Sequence, residues 1–160
     1  MERTIKGFDE IQIFDLYSFV CRYEEIKRYK KAIDFQKAYP DTYNGLKFEL
    51  DKLKLHHPKH KSWNPKDLQR KEIEENHFYY INHGGKLQSI LYHIRNAIAH
   101  GHIVLNTNGY VRIKDFDNSG KKQTANALIQ IEMLKNVIKY VNANIKGSSD
   151  KCVVVYDYLS

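Results

Sequence analysis

Residues 87–101 read Leu87-Gln-Ser-Ile-Leu-Tyr-His-Ile-Arg95-Asn-Ala-Ile-Ala-His100-Gly101, and this stretch decides how the rest of the chain is interpreted. Its leucines and isoleucines recur at spacings of three and four, which is the pattern of one buried helix face. A pair of glycines precedes it, and Gly101 suits the left-handed conformation that ends many helices. The stretch therefore predicts an amphipathic α-helix that ends at Arg95, Asn96 and His100.

A second face of this helix carries mostly polar side chains. At 3.6 residues per turn, one set of residues falls opposite the apolar stripe: Ser89, Tyr92, His93, Asn96 and His100. Together with the small residue Ala99, this face favours close packing against another helix, including one from a second copy of the chain. We therefore expect the face to point away from the core.

Arg95 and His100 together suit chemistry on a phosphate ester. A guanidinium presents a planar fork of donors to phosphate oxygens, and an imidazole moves protons near neutral pH. The same residue types are also common near helix C-termini, where cations complement the negative end of the helix dipole. The spacing by itself leaves both interpretations open.

Residues 91–101 resemble the signature of the HEPN superfamily (higher eukaryotes and prokaryotes nucleotide-binding domains). That signature is an arginine, usually followed by a polar residue, with a histidine after four to six intervening positions. Here four residues lie between Arg95 and His100, and the polar residue is Asn96. Residues 19–27, with Arg22-Tyr23-Glu24, resemble the first helix of some members. The segment between these two stretches carries no resemblance.

The resemblance implies a mainly α fold, a HEPN-like antiparallel helical bundle, here with a small β-hairpin after the motif helix. It also implies a metal-independent endoribonuclease of the toxin or phage-defence type, whose composite site forms across a homodimer. His100 would act as general base or acid, Arg95 would hold the scissile phosphate, and Asn96 would orient that phosphate or the motif. The product would carry a 2′,3′-cyclic phosphate, with no metal and no cofactor.

Three further residues are candidates for RNA binding or for support of the site. Glu24 would pair with Arg95 or polarise His100, and His102 and Tyr92 would assist binding. The partners implied are RNA, a second copy of the chain, and an antitoxin or another protein. Two alternatives stay open: a non-catalytic HEPN module that binds RNA, a nucleotide or a protein, and a helical interaction protein in which Arg95 and His100 are structural.

Composition sets the remaining bounds. With 160 residues the chain is expected to form a single domain over 1–160. The 26 Lys and Arg against 19 Asp and Glu give a net charge of +7, which favours an anionic partner such as RNA. Two cysteines do not make a disulfide framework, and no signal peptide or membrane span is predicted, so a cytoplasmic location is expected. His56, His57 and His60 are too loosely arranged to predict zinc.

The pattern along the chain predicts the other elements. Pro, Gly and Asn-rich breaks divide helical patterns from strand patterns, and Asn108-Gly109 is a strong hairpin turn signal. The predicted order is a mobile N-terminus over 1–8, a long helix over 9–38, a short helix over 46–55, a short helix from Pro65 through Ile73, the motif helix, a hairpin over 102–116, a helix over 125–145, and a tail over 147–160 with a possible short strand.

Overall fold

The computed structural model describes residues 4–57 and 65–146. In these ranges the α-helices are α1 (Glu10–Lys27), α2 (Ala32–Ala38), α3 (Pro40–Leu50), α4 (Lys86–Ala99) and α5 (Ile131–Asn144). The strands are β1 (Thr4–Lys6), β2 (Lys54–His56), β3 (His77–Tyr80), β4 (His102–Leu105), β5 (Tyr110–Phe116) and β6 (Gln123–Gln130). A 3₁₀ helix spans Pro65–Gln69.

The strands form one mixed sheet in the order β1-β4-β5-β6-β3-β2. The central strands pair antiparallel, and the two edge strands, β1 and β2, pair parallel to β4 and β3. The helices bury their apolar faces against one side of the sheet, on which Ile103, Ile113 and Ala127 lie. On the other side a small second core forms where Leu68 and Ile73 pack on Tyr79.

This six-stranded sheet makes the fold α/β and corrects the prediction of a mainly α-helical bundle with one small hairpin. The predicted hairpin is present as β4 and β5, but it occupies the centre of a larger sheet. The main error lies in 125–130, which was predicted to start the last helix. There Ala125, Ala127 and Ile129 alternate inward as a strand does, and the helix begins only at Ile131.

Several element boundaries also differ from the prediction. Residues 4–6 pair with β4 instead of belonging to a mobile terminus. The long helix predicted over 9–38 is two helices, because the backbone leaves the helix between Lys27 and Ala32. Helix α2 ends at Ala38, in line with the predicted break at Pro40, and Pro40 itself occupies the first turn of α3, where its missing N–H costs nothing.

The segment around residue 50 contains the remaining differences. Helix α3 spans Pro40–Leu50, so it begins and ends earlier than the short helix predicted over 46–55, and residues 54 and 55 of that range belong to β2 (Lys54–His56). The 3₁₀ helix ends at Gln69, short of the predicted limit at Ile73. His60 and the tail over 147–160 lie outside the described residues. Among the described residues, no helix has the length and apolar character that a membrane span requires.

Gly7 allows β1 to pack beside β4. Its φ is +88°, and a Cβ at this position would collide with the backbone carbonyl of Leu105. Gly84 has a similar φ of +80° but open space around the same position. Substitution of Gly84 therefore measures the cost of the backbone conformation alone, and substitution of Gly7 adds the cost of a steric collision.

We expect Gly84→Ala to lower the free energy of unfolding by about 1–2 kcal/mol, the cost of a left-handed conformation for an L-residue. Gly7→Ala should lower the free energy of unfolding further, because the added Cβ collides with the carbonyl oxygen of Leu105, and only a shift of β1 away from β4 relieves that collision. Urea denaturation of the two variants measures both values. Equal losses would show that the approach of Gly7 to β4 is not tight.

Candidate active site

Helix α4 confirms the predicted motif helix, but its polar face does not point away from the molecule. Ser89 and His93 are fully buried and Asn96 is 8% exposed. The reason is that the sheet and the loop before α4 supply polar partners. The Ser89 hydroxyl, for example, donates to Asn82 Oδ1 at 2.8 Å and accepts the backbone N–H of His83 at 2.6 Å. This burial corrects the expectation that the face is free for a second copy.

Asn96 links the motif to the sheet. Its Oδ1 accepts a hydrogen bond from Arg95 Nη1 at 3.0 Å, and its Nδ2 donates to Asp115 Oδ2 at 3.2 Å. Asp115 lies on β5 and is 1% exposed, and its Oδ1 accepts the backbone N–H of Phe116 at 2.9 Å. The buried carboxylate of Asp115 therefore orients the guanidinium of Arg95 indirectly, through the amide of Asn96.

His93 completes this network from the other side. Its Nδ1 lies 2.8 Å from Asp115 Oδ2, and its Nε2 lies 2.8 Å from the carbonyl oxygen of Ile81. A carbonyl oxygen only accepts, so Nε2 donates a hydrogen to Ile81, and a second hydrogen joins Nδ1 to Asp115 Oδ2. The buried ring and the buried carboxylate therefore form one hydrogen-bonded pair. Burial lowers the pKa of His83, and the charge of the nearby His93 lowers it further.

Arg95 is also close to helix α1. Burial raises the pKa of Tyr23 to about 12, an effect that the positive charge of Arg95 opposes and that Tyr92 and Glu24 reinforce. The Tyr23 hydroxyl therefore remains a hydrogen-bond donor at neutral pH. Glu24 is partly buried beside it, and Tyr92 packs its ring 4.3 Å from that of His83. The two stretches that resemble HEPN proteins thus meet in space.

His100 lies at the end of this arrangement. It caps α4, its backbone N–H donates to Asn96 O, and its side chain is exposed. Gly101 follows with a φ of +75° and turns the chain into β4. His102, on β4, has its pKa lowered by burial and then by the nearby charge of His100. The two histidines therefore lie close together at the start of β4, between β1 and β5.

The structure groups the predicted residues into two sets. Arg95, Asn96 and Tyr92 gather near Glu24 on the α1 side, whereas His100 and His102 gather at the C-terminal end of α4. In the described part of the chain, no hydrogen bond joins Arg95 to His100.

Sequence reasoning missed His93 and Asp115 as parts of the site. One signal was available for Asp115. Asp115 follows Val111 and Ile113 at spacings of two along β5, so it lies on the same buried face as these apolar residues. A carboxylate on that face requires buried partners. His93 was named only as part of a polar face, because the strand that covers it was assigned to a separate hairpin.

Comparison with known proteins assigns the chain to a family. Residues 11–151 match the family model described as HEPN pEK499 p136. Because the match covers most of the chain, the protein belongs to the HEPN superfamily and, within it, to the pEK499 p136 family. This assignment confirms the resemblance carried by Arg95, Asn96 and His100. Neither the curated proteins nor the solved structures contain a match.

The buried pair makes a prediction about stability. Asp115→Asn removes the carboxylate that bonds to the buried His93 ring, and loss of one partner of a buried ion pair typically costs about 3–5 kcal/mol. Asp15→Asn is the matched control, because it makes the same substitution at an exposed position of α1. Denaturant unfolding should show a large loss for the first variant and a small change for the second. Similar losses would contradict the assignment of the ion pair.

Proposed function

We propose that this protein is a metal-independent endoribonuclease of the toxin or phage-defence type that acts on RNA in the cytoplasm. The observation that carries the proposal is the geometry of Arg95. A guanidinium has five N–H donors, and Asn96 accepts from one of its nitrogens, Nη1. Its Nε is buried without a partner among the described residues. Arg95 is therefore oriented by the protein, and because Nε is buried, the donors that remain for a phosphate are those of Nη1 and Nη2 on this partly exposed side chain.

The chemistry assigned to the site is transfer of the phosphodiester to the neighbouring 2′ oxygen. The 2′ oxygen bonds to phosphorus as the bond to the 5′ oxygen breaks, which leaves a 2′,3′-cyclic phosphate and a free 5′ hydroxyl. An exposed imidazole such as His100 takes the proton from the 2′ hydroxyl or gives one to the leaving oxygen. Arg95 stabilises the charge that develops on the phosphate oxygens. Atoms balance without a metal ion or a cofactor.

A homodimer fits this chemistry because one imidazole cannot serve as base and acid at the same moment. Two copies of the chain would supply two His100 rings, one for each proton transfer. Support for association comes from α1, on which Ile11 and Phe14 are 76% and 53% exposed although both are large and apolar. These residues, rather than the buried polar face of α4, are the surface that we assign to the second copy. An antitoxin or another protein is a further partner of the same proposal.

The first test is RNA cleavage in EDTA by the parent protein and by His100→Ala. Loss of proton transfer should lower the rate by about 100- to 10,000-fold, and the product ends should carry 2′,3′-cyclic phosphate. Arg95→Lys keeps the charge but loses the planar fork, so it should also be slow. His56→Ala is the matched control, because His56 lies in β2 at the opposite edge of the sheet from β4.

The outcomes separate the candidate functions. Cleavage that survives His100→Ala at the parental rate would contradict the mechanism. Salt-sensitive RNA binding without cleavage by the parent, across several RNA classes, would favour a non-catalytic HEPN module. If the Arg95 and His100 variants lose stability, and the parent neither cleaves nor binds RNA, a structural role for Arg95 and His100 is favoured.

A further inference from the structure

The side of the sheet opposite the helices carries a group of cationic and aromatic side chains near His100. Strand register determines its members. Ile103 pairs with Ile113 on the buried side, so their neighbours His102 and Lys114 lie side by side on the other face. Lys6 pairs with Val104, which also lies on that other face. Phe116, two residues after Lys114, shares that face. We refer to Lys6, His102, Lys114 and Phe116 as the outer-face patch.

Among the described residues, Lys114 is a cation with no ion-pair partner. It is partly buried, and no carboxylate lies within ion-pair distance of it in the described part of the chain. Burial and the neighbouring Arg112 guanidinium lower its pKa. The guanidinium of Arg112 itself is turned towards backbone oxygens of Arg70 and Lys71 and towards Asn126, so it adds charge without supplying an anion. A partly desolvated cation beside another cation favours a bound anion.

The aromatic members of the patch are adjacent. The rings of His102 and Phe116 lie 5.0 Å apart in an edge-on arrangement, and both are partly exposed. Such rings are surfaces on which unpaired nucleobases stack. Acidic groups lie towards the other end of β5, where Tyr110 donates to Glu75 at 2.8 Å. On the outer face of β5, the charged side chain beside His102 is therefore Lys114, because Asp115 faces the core. Asp117, which follows Phe116, accepts a hydrogen bond from Ser119.

We propose that the outer-face patch binds the backbone and bases of single-stranded RNA, which lies across β4 from Lys6 on β1 to Lys114 on β5 and passes close to His100. This inference rests on the proposed function and names its substrate class. The patch extends over three strands, a width of about 10 Å at the usual spacing of strands, which suits one nucleic-acid strand. A duplex would keep its bases stacked internally and leave the rings of His102 and Phe116 without partners.

The test measures binding separately from cleavage. The probe is a fluorescent single-stranded RNA with 2′-O-methyl riboses, which cannot form a cyclic phosphate, and its affinity is followed by anisotropy. Removal of one phosphate contact lowers the slope of log affinity against log salt concentration by about 0.7 for a single strand, which corresponds to a loss of about fivefold in affinity near 0.1 M salt. Lys114→Gln should lose about this much, and so should Lys6→Gln, a substitution at an exposed position that leaves the core unchanged.

Lys139→Gln, on the exposed side of α5, is the matched control and should bind like the parent. Equal affinities for the Lys114 and Lys139 variants would overturn the inference, and so would tighter, Lys114-dependent binding of a duplex of the same sequence. Failure of the parent to bind the single strand would overturn it too. The cleavage assay is an independent measurement. If cleavage depends on His100 but Lys114→Gln does not change RNA affinity, the patch proposal fails and the nuclease proposal stands. If RNA affinity depends on Lys114 but the parent does not cleave, the nuclease proposal fails and the patch proposal stands.

Discussion

The buried carboxylate of Asp115 is the interaction on which the arrangement of the motif depends. A carboxylate that is 1% exposed must have its lone pairs satisfied inside the protein. Here the backbone of Phe116, the amide of Asn96 and the ring of His93 satisfy them. These bonds fix the roll of α4 against β5. The direction in which Arg95 projects is therefore set by the sheet as well as by the helix that carries it.

The same network explains the polar residue that follows the motif arginine. An apolar residue at position 96 would satisfy the helical pattern but would leave both Arg95 and Asp115 with one partner fewer. Asn96 is the right length to accept from one and donate to the other. An amide has a donor and an acceptor on the same side chain, so a single residue can bridge a cation and an anion.

Local patterns predicted the parts of this protein whose hydrogen bonds are local. Helix α4, the Asn108-Gly109 hairpin and the capped start of α1 at Asp9, where the side chains of Asp9 and Gln12 bond reciprocally, all follow from short-range signals. Arg95, Asn96 and His100 were found through the family resemblance. The partners of the site were not, because Asp115 and His93 are 22 residues apart and meet only through sheet packing.

The sheet itself escaped prediction for a related reason. Strands β1 and β2 have three residues each, which is too short for an alternating pattern to stand out, and β6 runs directly into the apolar stripe of α5. Their pairing partners lie far away in sequence, with β1 beside β4 and β2 beside β3. Non-local pairing of this kind has no signature in a short window of residues.

The shortness of those two edge strands has a consequence for solubility. An exposed strand edge invites other chains to add a strand, and proteins limit this hazard by keeping edge strands short and placing charge on them. In the ranges 4–57 and 65–146, each edge strand of this sheet has only three residues, and Lys6 and Lys54 add charge there. Runaway edge-to-edge stacking into fibrils is thereby disfavoured, even though the four inner strands are rich in apolar residues.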